Sequence, residues 1–384
     1  CHRIIVSACR LPSSIKVLFR CVAKAVDCLN FAMLRGWGTS TLRDAPKNFL
    51  AASKRLVRSN RCILCPSVVD GVTFHLADVQ NMFENVSAAN VFVALRFVIR
   101  KAQGLGYLAI IVPTCKEDRF GRRLNSFLSY SLHASAYQCR TLPLDSLADL
   151  VQLVLDFGVA SLSSVLFRQS GLPIGGIVSS SLANLALSFQ EHLWTAIPAR
   201  RHAFRYRGEW NLAVCTSRYV DDLLSASCCL CFGCLRKLSL APYNNMVPWD
   251  LSDEADNFRW LDVMLRRDPC CSFNVDMRPC VPVNDGDDIS TLPRYNVPPR
   301  LDSRHPSDDH MLSLAKGRCA RLAQLPIRDL HFLTAVLSEC AVWVHRGHSL
   351  QLTRHCWLVA IPDRLRPQLL TELNTALPTS ASCD

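Results

Sequence analysis

Two adjacent carboxylates, Asp221 and Asp222, stand between short apolar runs in the segment RYVDDLL (218–224). The preceding NLAVC (211–215) alternates and predicts a strand, and Leu223 and Leu224 predict the start of a returning one. An Asp-Asp hairpin tip repels itself unless positive charge sits against it. A hard divalent cation is the usual partner, because such ions prefer carboxylate oxygens. An ordinary polar turn would need no metal, since Asp is common in turns. The choice depends on whether the rest of the chain brings further acids to the same place.

Residues 71–86, GVTFHLADVQNMFENV, hold one. Val72, Phe74 and Leu76 alternate with Thr73, His75 and Ala77, which predicts a strand with Asp78 at its end. Beside the hairpin, Asp78 would complete a three-carboxylate cluster suited to two Mg²⁺ ions. Phe83 follows five residues later, where an aromatic ring can lie against a nucleotide sugar and leave no room for a 2′-hydroxyl. The plain alternative is a solvated strand end and a core Phe. Residues 167–194 place Gly171, Pro173, Gly175 and Gly176 in a tight loop beside Gln169. The loop leads into a helix whose Leu182, Leu185, Phe189 and Leu193 share a face. Glycines there would let a flat partner such as a base pair approach the backbone.

Charge agrees with a polyanionic partner. The 384 residues carry 43 Lys and Arg against 32 Asp and Glu, a formal +11 spread along the chain. At 49% hydrophobic residues, the chain has the means to bury a sizeable core. No apolar run reaches the length of a membrane span, and no internal repeat is present. The 20 cysteines include the Cys-x-x-Cys pairs Cys62/Cys65 and Cys231/Cys234. They lie far apart in the chain, so buried free thiols are favoured over a zinc site. His345, His348 and His355 lie beside Arg346 and Arg354, which favours a nucleic-acid-facing helix over a metal site.

Local patterns predict further elements. A strand over Arg3–Ser7 leads into a helix capped by Ser13 or Ser14, with Ile15, Val17, Leu18, Val22 and Val26 buried. A Gly-Trp-Gly turn precedes a basic helix over AASKRLVRSNR (51–61). Ser87 caps a helix that Gly104 stops. An apolar strand (LAIIV), an amphipathic helix (LADLVQLVLDFGV) and a strand pair in FRWLDVMLRR (258–267) follow. Residues 268–300 are expected to be loop, and the chain beyond 301 to be helical and basic.

In this order the motifs resemble the reverse transcriptase palm, and among such enzymes the polymerases of Penelope-like retroelements. The resemblance covers roughly residues 1–325 and rests on Arg3-Ile4-Ile5-Val6-Ser7, Asp78-Val79-Gln80-Asn81-Met82-Phe83, Gln169 to Gly175, Tyr219 to Asp222, Trp260-Leu261-Asp262 and Ser303-Arg304-His305-Pro306. It implies an α+β right-hand polymerase with an antiparallel palm sheet flanked by helices. Partial fingers would occupy 1–70, the palm 71–270 with a fingers-side insertion at about 105–165, a linker 271–300, and a helical thumb 301–384. Asp78, Asp221 and Asp222 would be catalytic and hold Mg²⁺, with Mn²⁺ able to substitute. Arg3, Phe83, Gln169, Gly175 and Tyr219 would meet the nucleotide, with Phe83 as sugar gate. Gly171, Trp260, Leu261, Arg304 and His305 would meet primer and template. Implied partners are an RNA template, a DNA primer and deoxynucleoside triphosphates, with no membrane, an endonuclease domain lying outside this chain, and action in the nucleus. Ile174 departs from the Gln or Met of many relatives, and the absence of that Gln sets a telomere-maintaining enzyme behind the retroelement. A polymerase-fold binding protein without catalysis is the alternative. Tyr219 and Phe83 argue against an RNA-templated RNA polymerase.

Overall fold

In the computed structural model, the described residues are 13–34, 36–38, 44–115, 124–133, 138–156, 159–162, 165–168, 171–173, 176–197, 212–243, 246–252, 257–261, 263–268, 270–279, 308–325, 327, 329–345 and 347–376. The predicted strand over Arg3–Ser7 lies outside them, as do Gln169, Ile174, Gly175, Asp262, Arg304 and His305. The chain divides into two compact units, one of residues 1–45 and 55–254, the other of 46–54 and 255–384. Helices and antiparallel sheets mix in an α+β architecture.

In chain order the elements begin with helices α1 (Ser13–Met33) and α2 (Asp44–Ser53), strand β1 (Thr73–Val79), and helices α3 (Met82–Asn85) and α4 (Ala88–Gly104). Strands β2 (Ala109–Pro113), β3 (Phe127–Ser129) and β4 (Cys139–Pro143) precede helix α5 (Leu144–Asp156). Strands β5 (Val159–Leu162) and β6 (Val165–Arg168) lead to helix α6 (Ser179–Ala196). Next come β7 (Cys215–Tyr219), β8 (Asp222–Ser227), α7 (Phe232–Leu240) and β9 (Trp249–Leu251). The second unit adds β10 (Asn257–Trp260), β11 (Val263–Asp268) and β12 (Cys271–Pro279), then helices α8 (Asp308–Leu322), α9 (Asp329–His345), α10 (Leu350–Ala360) and α11 (Arg366–Ala376).

The central sheet of the first unit has the order β7-β8-β1-β9, antiparallel throughout. Helices α1, α4, α5 and α6 share one core with Ala77, Val79 and Leu223 of that sheet. Helix α6 runs through the middle. Residues 181–189 are buried without a break, the pattern of a helix surrounded on all sides. The predicted single apolar face is therefore corrected: Leu182, Leu185 and Phe189 are buried, whereas Leu193 is 42% exposed. β1 is likewise covered on both faces. His75 is buried with its Nδ1 2.8 Å from the Ser239 hydroxyl of α7. Burial, with the Arg236 charge, pushes the His75 pKa down to about 4, so the ring stays neutral at pH 7. At the outer edge, Ser252 closes the pairing after β9. Its N–H and its hydroxyl both donate to the Leu76 carbonyl, at 3.2 and 2.9 Å, and its Oγ accepts from the Leu76 N–H at 3.2 Å.

Several local expectations shift. The strand expected over 211–215 begins only at Cys215, and the helix expected over 51–61 ends at Ser53. Beyond that helix the Val57 N–H donates to the Leu212 carbonyl and the Ser59 N–H to that of Cys228, so cross-chain bonds hold the basic segment extended. Ser87 does cap α4, accepting from the Asn90 N–H at 3.2 Å. Gly104 is that helix's last residue, and the left-handed position falls to Gly106 at φ 87°. The segment expected as loop from 268 opens with the nine-residue β12, paired to β11.

The second unit packs α8 to α11 around Trp343 and Trp357, whose ring centroids lie 5.3 Å apart. Phe49 of α2 packs against Trp260 with ring centroids 5.8 Å apart and the ring planes tilted by 54°. Among the described residues, no helix is long and apolar enough to cross a membrane.

The central position of α6 gives a direct test. Leu185→Ala should destabilise by about 3–5 kcal/mol in urea unfolding, as a cavity in a closed core does. Leu193→Ala on the same helix should stay within about 0.5 kcal/mol of the parent.

Candidate active site

Strand register decides which acids meet. In the β1–β8 pair Asp78 stands directly opposite Asp222. On the other side of β1, Asp78 stands opposite Asp250 of β9. Cross-strand partners project from the same face, so Asp222, Asp78 and Asp250 form a row of carboxylates about 5 Å apart, strand to strand. Their neighbours Ala77 and Leu223 are buried in the helical core, so the sheet end is apolar on one face and acidic on the other. Asp250 was not legible beforehand. It lies in a Cys-rich stretch with no clear period, and only the pairing of a three-residue strand brings it here.

Asp221 sits at the hairpin tip. Tyr219 pairs with Asp222, leaving Val220 and Asp221 as a two-residue connection. Val220 has φ 58°, a conformation that a β-branched residue reaches only under strain of about 1–3 kcal/mol. Two hydrogen bonds hold the tip: Arg218 Nη1 donates to the Val220 carbonyl at 2.7 Å, and the Val79 N–H donates to that of Asp221 at 3.2 Å.

Arg218 is fully buried. Its Nε meets Glu191 Oε1 at 2.5 Å, its Nη1 also donates to Asn184 Oδ1 at 2.9 Å, and its Nη2 to Ser188 Oγ at 3.0 Å. Asn184, Ser188 and Glu191 lie three and four residues apart on α6, hence on one helix face. Glu191 accepts two more bonds, from the Tyr243 hydroxyl at 2.7 Å and the Trp37 N–H at 2.5 Å. Burial, with the Glu191 carboxylate beside it, pushes the Tyr243 phenol far up, so it remains a donor. The Trp37 carbonyl accepts from the Arg218 N–H at 2.9 Å. The flanking glycines permit this approach: a Cβ on Gly38 would stand 2.6 Å from Asn184 Oδ1, and one on Gly36 2.7 Å from Glu191 Oε2. None of this network was foreseen, because nothing in the sequence pairs residues so far apart.

Phe83 lies on α3, just beyond Asp78, half-buried against the core. The left-handed Asn81, φ 45°, makes the turn between them. Gly171, φ 82°, comes so close that any side chain on it would strike the Phe83 and Glu84 backbone. The Leu172 N–H donates to the Phe83 carbonyl at 2.5 Å. The start of the glycine loop is thus joined to the Phe83 segment, and the Ser179 hydroxyl of α6 donates to the Pro173 carbonyl at 2.5 Å. Trp260, buried, ends β10 and pairs with Val263, and Leu261, φ 56°, follows it in the β10–β11 connection of the second unit.

The electrostatics fit a cation. Burial, ahead of the charges of Asp221 and Asp78, raises the Asp222 pKa to about 6. The donors are all carboxylate oxygens, the set that Mg²⁺ and Mn²⁺ prefer. Their oxygens are not drawn together as tightly as a closed metal cage. Among the described residues, only a four-cysteine group has all its ligand atoms within 4.8 Å of one another. His345, His348 and His355 form no such group.

Two consequences can be measured. Arg218→Met would leave Glu191, and Glu191→Gln would leave Arg218, buried without its counter-charge, so each should destabilise by about 3–5 kcal/mol in urea unfolding. The folded chain holds the Asp222 proton more tightly than the unfolded chain, whose ordinary pKa is 3.8. Metal-free stability should therefore be fully present below pH 4 and fall as pH rises to about 6, over the window of that shift. Asp222→Asn should flatten this fall in urea titrations at a series of pH values. With solvent screening, it should gain about 1 kcal/mol at pH 7.

No family model and no curated protein matches the chain. Solved structures do. Telomerase from Candida albicans, in complex with a TWJ fragment of telomeric RNA, matches at TM-score 0.50 and 8% identity over 94% of this chain and 54% of that one. Apo telomerase from Candida tropicalis matches at TM-score 0.48 and 10% identity over 95% and 52%. The chain thus spans about half the length of the telomerase chains it resembles. At such identity the likeness concerns the fold alone, which resembles that of the Candida albicans telomerase chain.

Proposed function

We propose that the chain is the polymerase portion of an RNA-directed DNA polymerase from a Penelope-like retroelement, extending a DNA primer on an RNA template in the nucleus. The observation that carries this reading is the register that sets Asp78 against Asp222, with Asp221 at the adjoining hairpin tip. In this reading the fold is a right hand, with the palm over 71–270 and the thumb over 301–384. Asp78, Asp221 and Asp222 would hold two Mg²⁺ ions, which would supply Lewis-acid activation of the primer 3′-hydroxyl and charge stabilisation at the leaving pyrophosphate. Phe83 excludes a 2′-hydroxyl from the sugar position. The glycine loop, through Gly171 and Gly175 with Gln169, lies against the templating pair, and Arg3 and Tyr219 meet the incoming nucleotide. Trp260 and Leu261 bear on the primer, with Arg304 and His305 beside it at the thumb. The +11 charge suits a long polyanion.

Primer extension by the natural full-length protein tests the proposal. With an RNA template, deoxynucleotides and Mg²⁺, the primer should lengthen. Asp78→Asn or Asp221→Asn should lower the rate at least about 1,000-fold, the scale of several kcal/mol of lost charge stabilisation. Phe83→Ala should admit ribonucleotides while retaining extension with deoxynucleotides. Salt-sensitive binding to primer–template with no extension would replace the polymerase by a non-catalytic binding protein. Ribonucleotide use by the unmodified protein would remove Phe83 from the gate.

A further inference from the structure

The two Cys-x-x-Cys pairs lie 166 residues or more apart in sequence, yet the fold brings all four sulfurs together within 4.8 Å. Each pair is presented by a built element. The first occupies a knuckle in which Arg61 bridges Val68, and the Cys62 N–H donates to the Ser67 carbonyl at 2.8 Å. The second straddles the start of α7: Cys231 is the N-cap and Cys234 lies in the first turn. The Cys231 side chain makes no capping bond to its own helix, although N-cap residues commonly do, and its Sγ instead lies 3.5 Å from that of Cys65. Cys234 Sγ is 3.6 Å from Cys65 Sγ.

These spacings separate a metal from a disulfide. A bonded pair would stand at about 2.05 Å. Four sulfurs around one ion at about 2.3 Å would stand roughly 3.8 Å apart, close to what the fold presents. The knuckle is held in place independently of the thiols. The Ser59 N–H donates to the Cys228 carbonyl at 2.9 Å and the Ile63 N–H to the Cys229 carbonyl at 3.0 Å.

We infer that Cys62, Cys65, Cys231 and Cys234 form a closed tetrahedral site for one structural Zn²⁺ ion. The ion replaces thiol protons, which leave to solvent as it binds, and no redox change occurs. Four protein ligands leave no open position, so the ion's role is structural. β8 separates it from the carboxylates: Asp222 opens that strand and Ser227 closes it, roughly 17 Å along. The ion ties the segment before β1 to the segment after β8, at the strand ends opposite the acidic row.

The test uses the full chain, purified without chelator from zinc-supplemented cells. Elemental analysis should find about one zinc per chain. Exchange with Co²⁺ should give an intense thiolate-to-cobalt band in the near ultraviolet and the visible bands of a tetrahedral ion. Cys231→Ser with Cys234→Ser should bring zinc to near zero, whereas Cys270→Ser, at an exposed cysteine, should leave it unchanged. Asp221→Asn should also retain zinc, so the result stands apart from the polymerase proposal. The cobalt spectrum needs no variant and answers even if the double variant fails to fold. Zinc-free protein with no thiolate–cobalt band would overturn the site. A mass lower by two hydrogens per bridged pair would replace it with disulfides, and iron bound in place of zinc would overturn the choice of metal.

Discussion

The acidic sheet end depends on one buried ion pair. Arg218 and Glu191 have no solvent to share their charge with, and removing each from water costs several kcal/mol. That cost is offset only where the remaining donors and acceptors are also met. Here they are met by Asn184, Ser188, the Tyr243 hydroxyl, the Trp37 N–H and the Val220 carbonyl. The last contact carries the functional weight. A β-branched residue with φ 58° persists only when its surroundings over-determine it, and the guanidinium does so from below the hairpin tip. The pair thus transmits the rigidity of the core helix to the two residues that present Asp221 and Asp222.

How much of this was legible follows from the range of the interactions involved. The Asp-Asp hairpin, the strand ending in Asp78, the Ser87 cap and the helix after the glycine loop are local patterns, and the strand or helix appears at each. Register is a contact between distant segments. The sequence showed that Asp78 ends a strand, but its pairing with Asp222 on one side and Asp250 on the other came only with the fold. The strand expected at 211–215 and the helix expected at 51–61 went astray for one physical reason. Backbone bonds from Arg55–Ser59 to Leu212 and Cys228 set the conformation there, against local propensity. The burial of Arg218 was not anticipated at all, because an Arg before a turn usually faces water. The cysteine pairs were discounted for their separation in sequence, which the fold removes.

The two faces of the central sheet divide the labour. One face is closed by α1, α4 and α6, whose packing fixes strand positions. The other face, at the strand ends, gathers like charges, and burial, ahead of the charges of Asp221 and Asp78, raises the Asp222 pKa there. Such a gathering is unfavourable in isolation, and in a chain of net +11 it is the more unusual. Stability spent at one spot and supplied by a core directly behind it is the arrangement expected where charge is kept ready for a ligand.

The outer edge of the sheet has a consequence of a different kind. β9 contributes three residues, and past it β1 would offer bare backbone groups to any passing strand. Ser252 takes that role away: its backbone and hydroxyl both engage Leu76, and α7 meets β1 at His75. The Leu76 backbone is thereby unavailable to a strand of another chain, a local protection against edge-to-edge pairing in a protein with 49% hydrophobic residues.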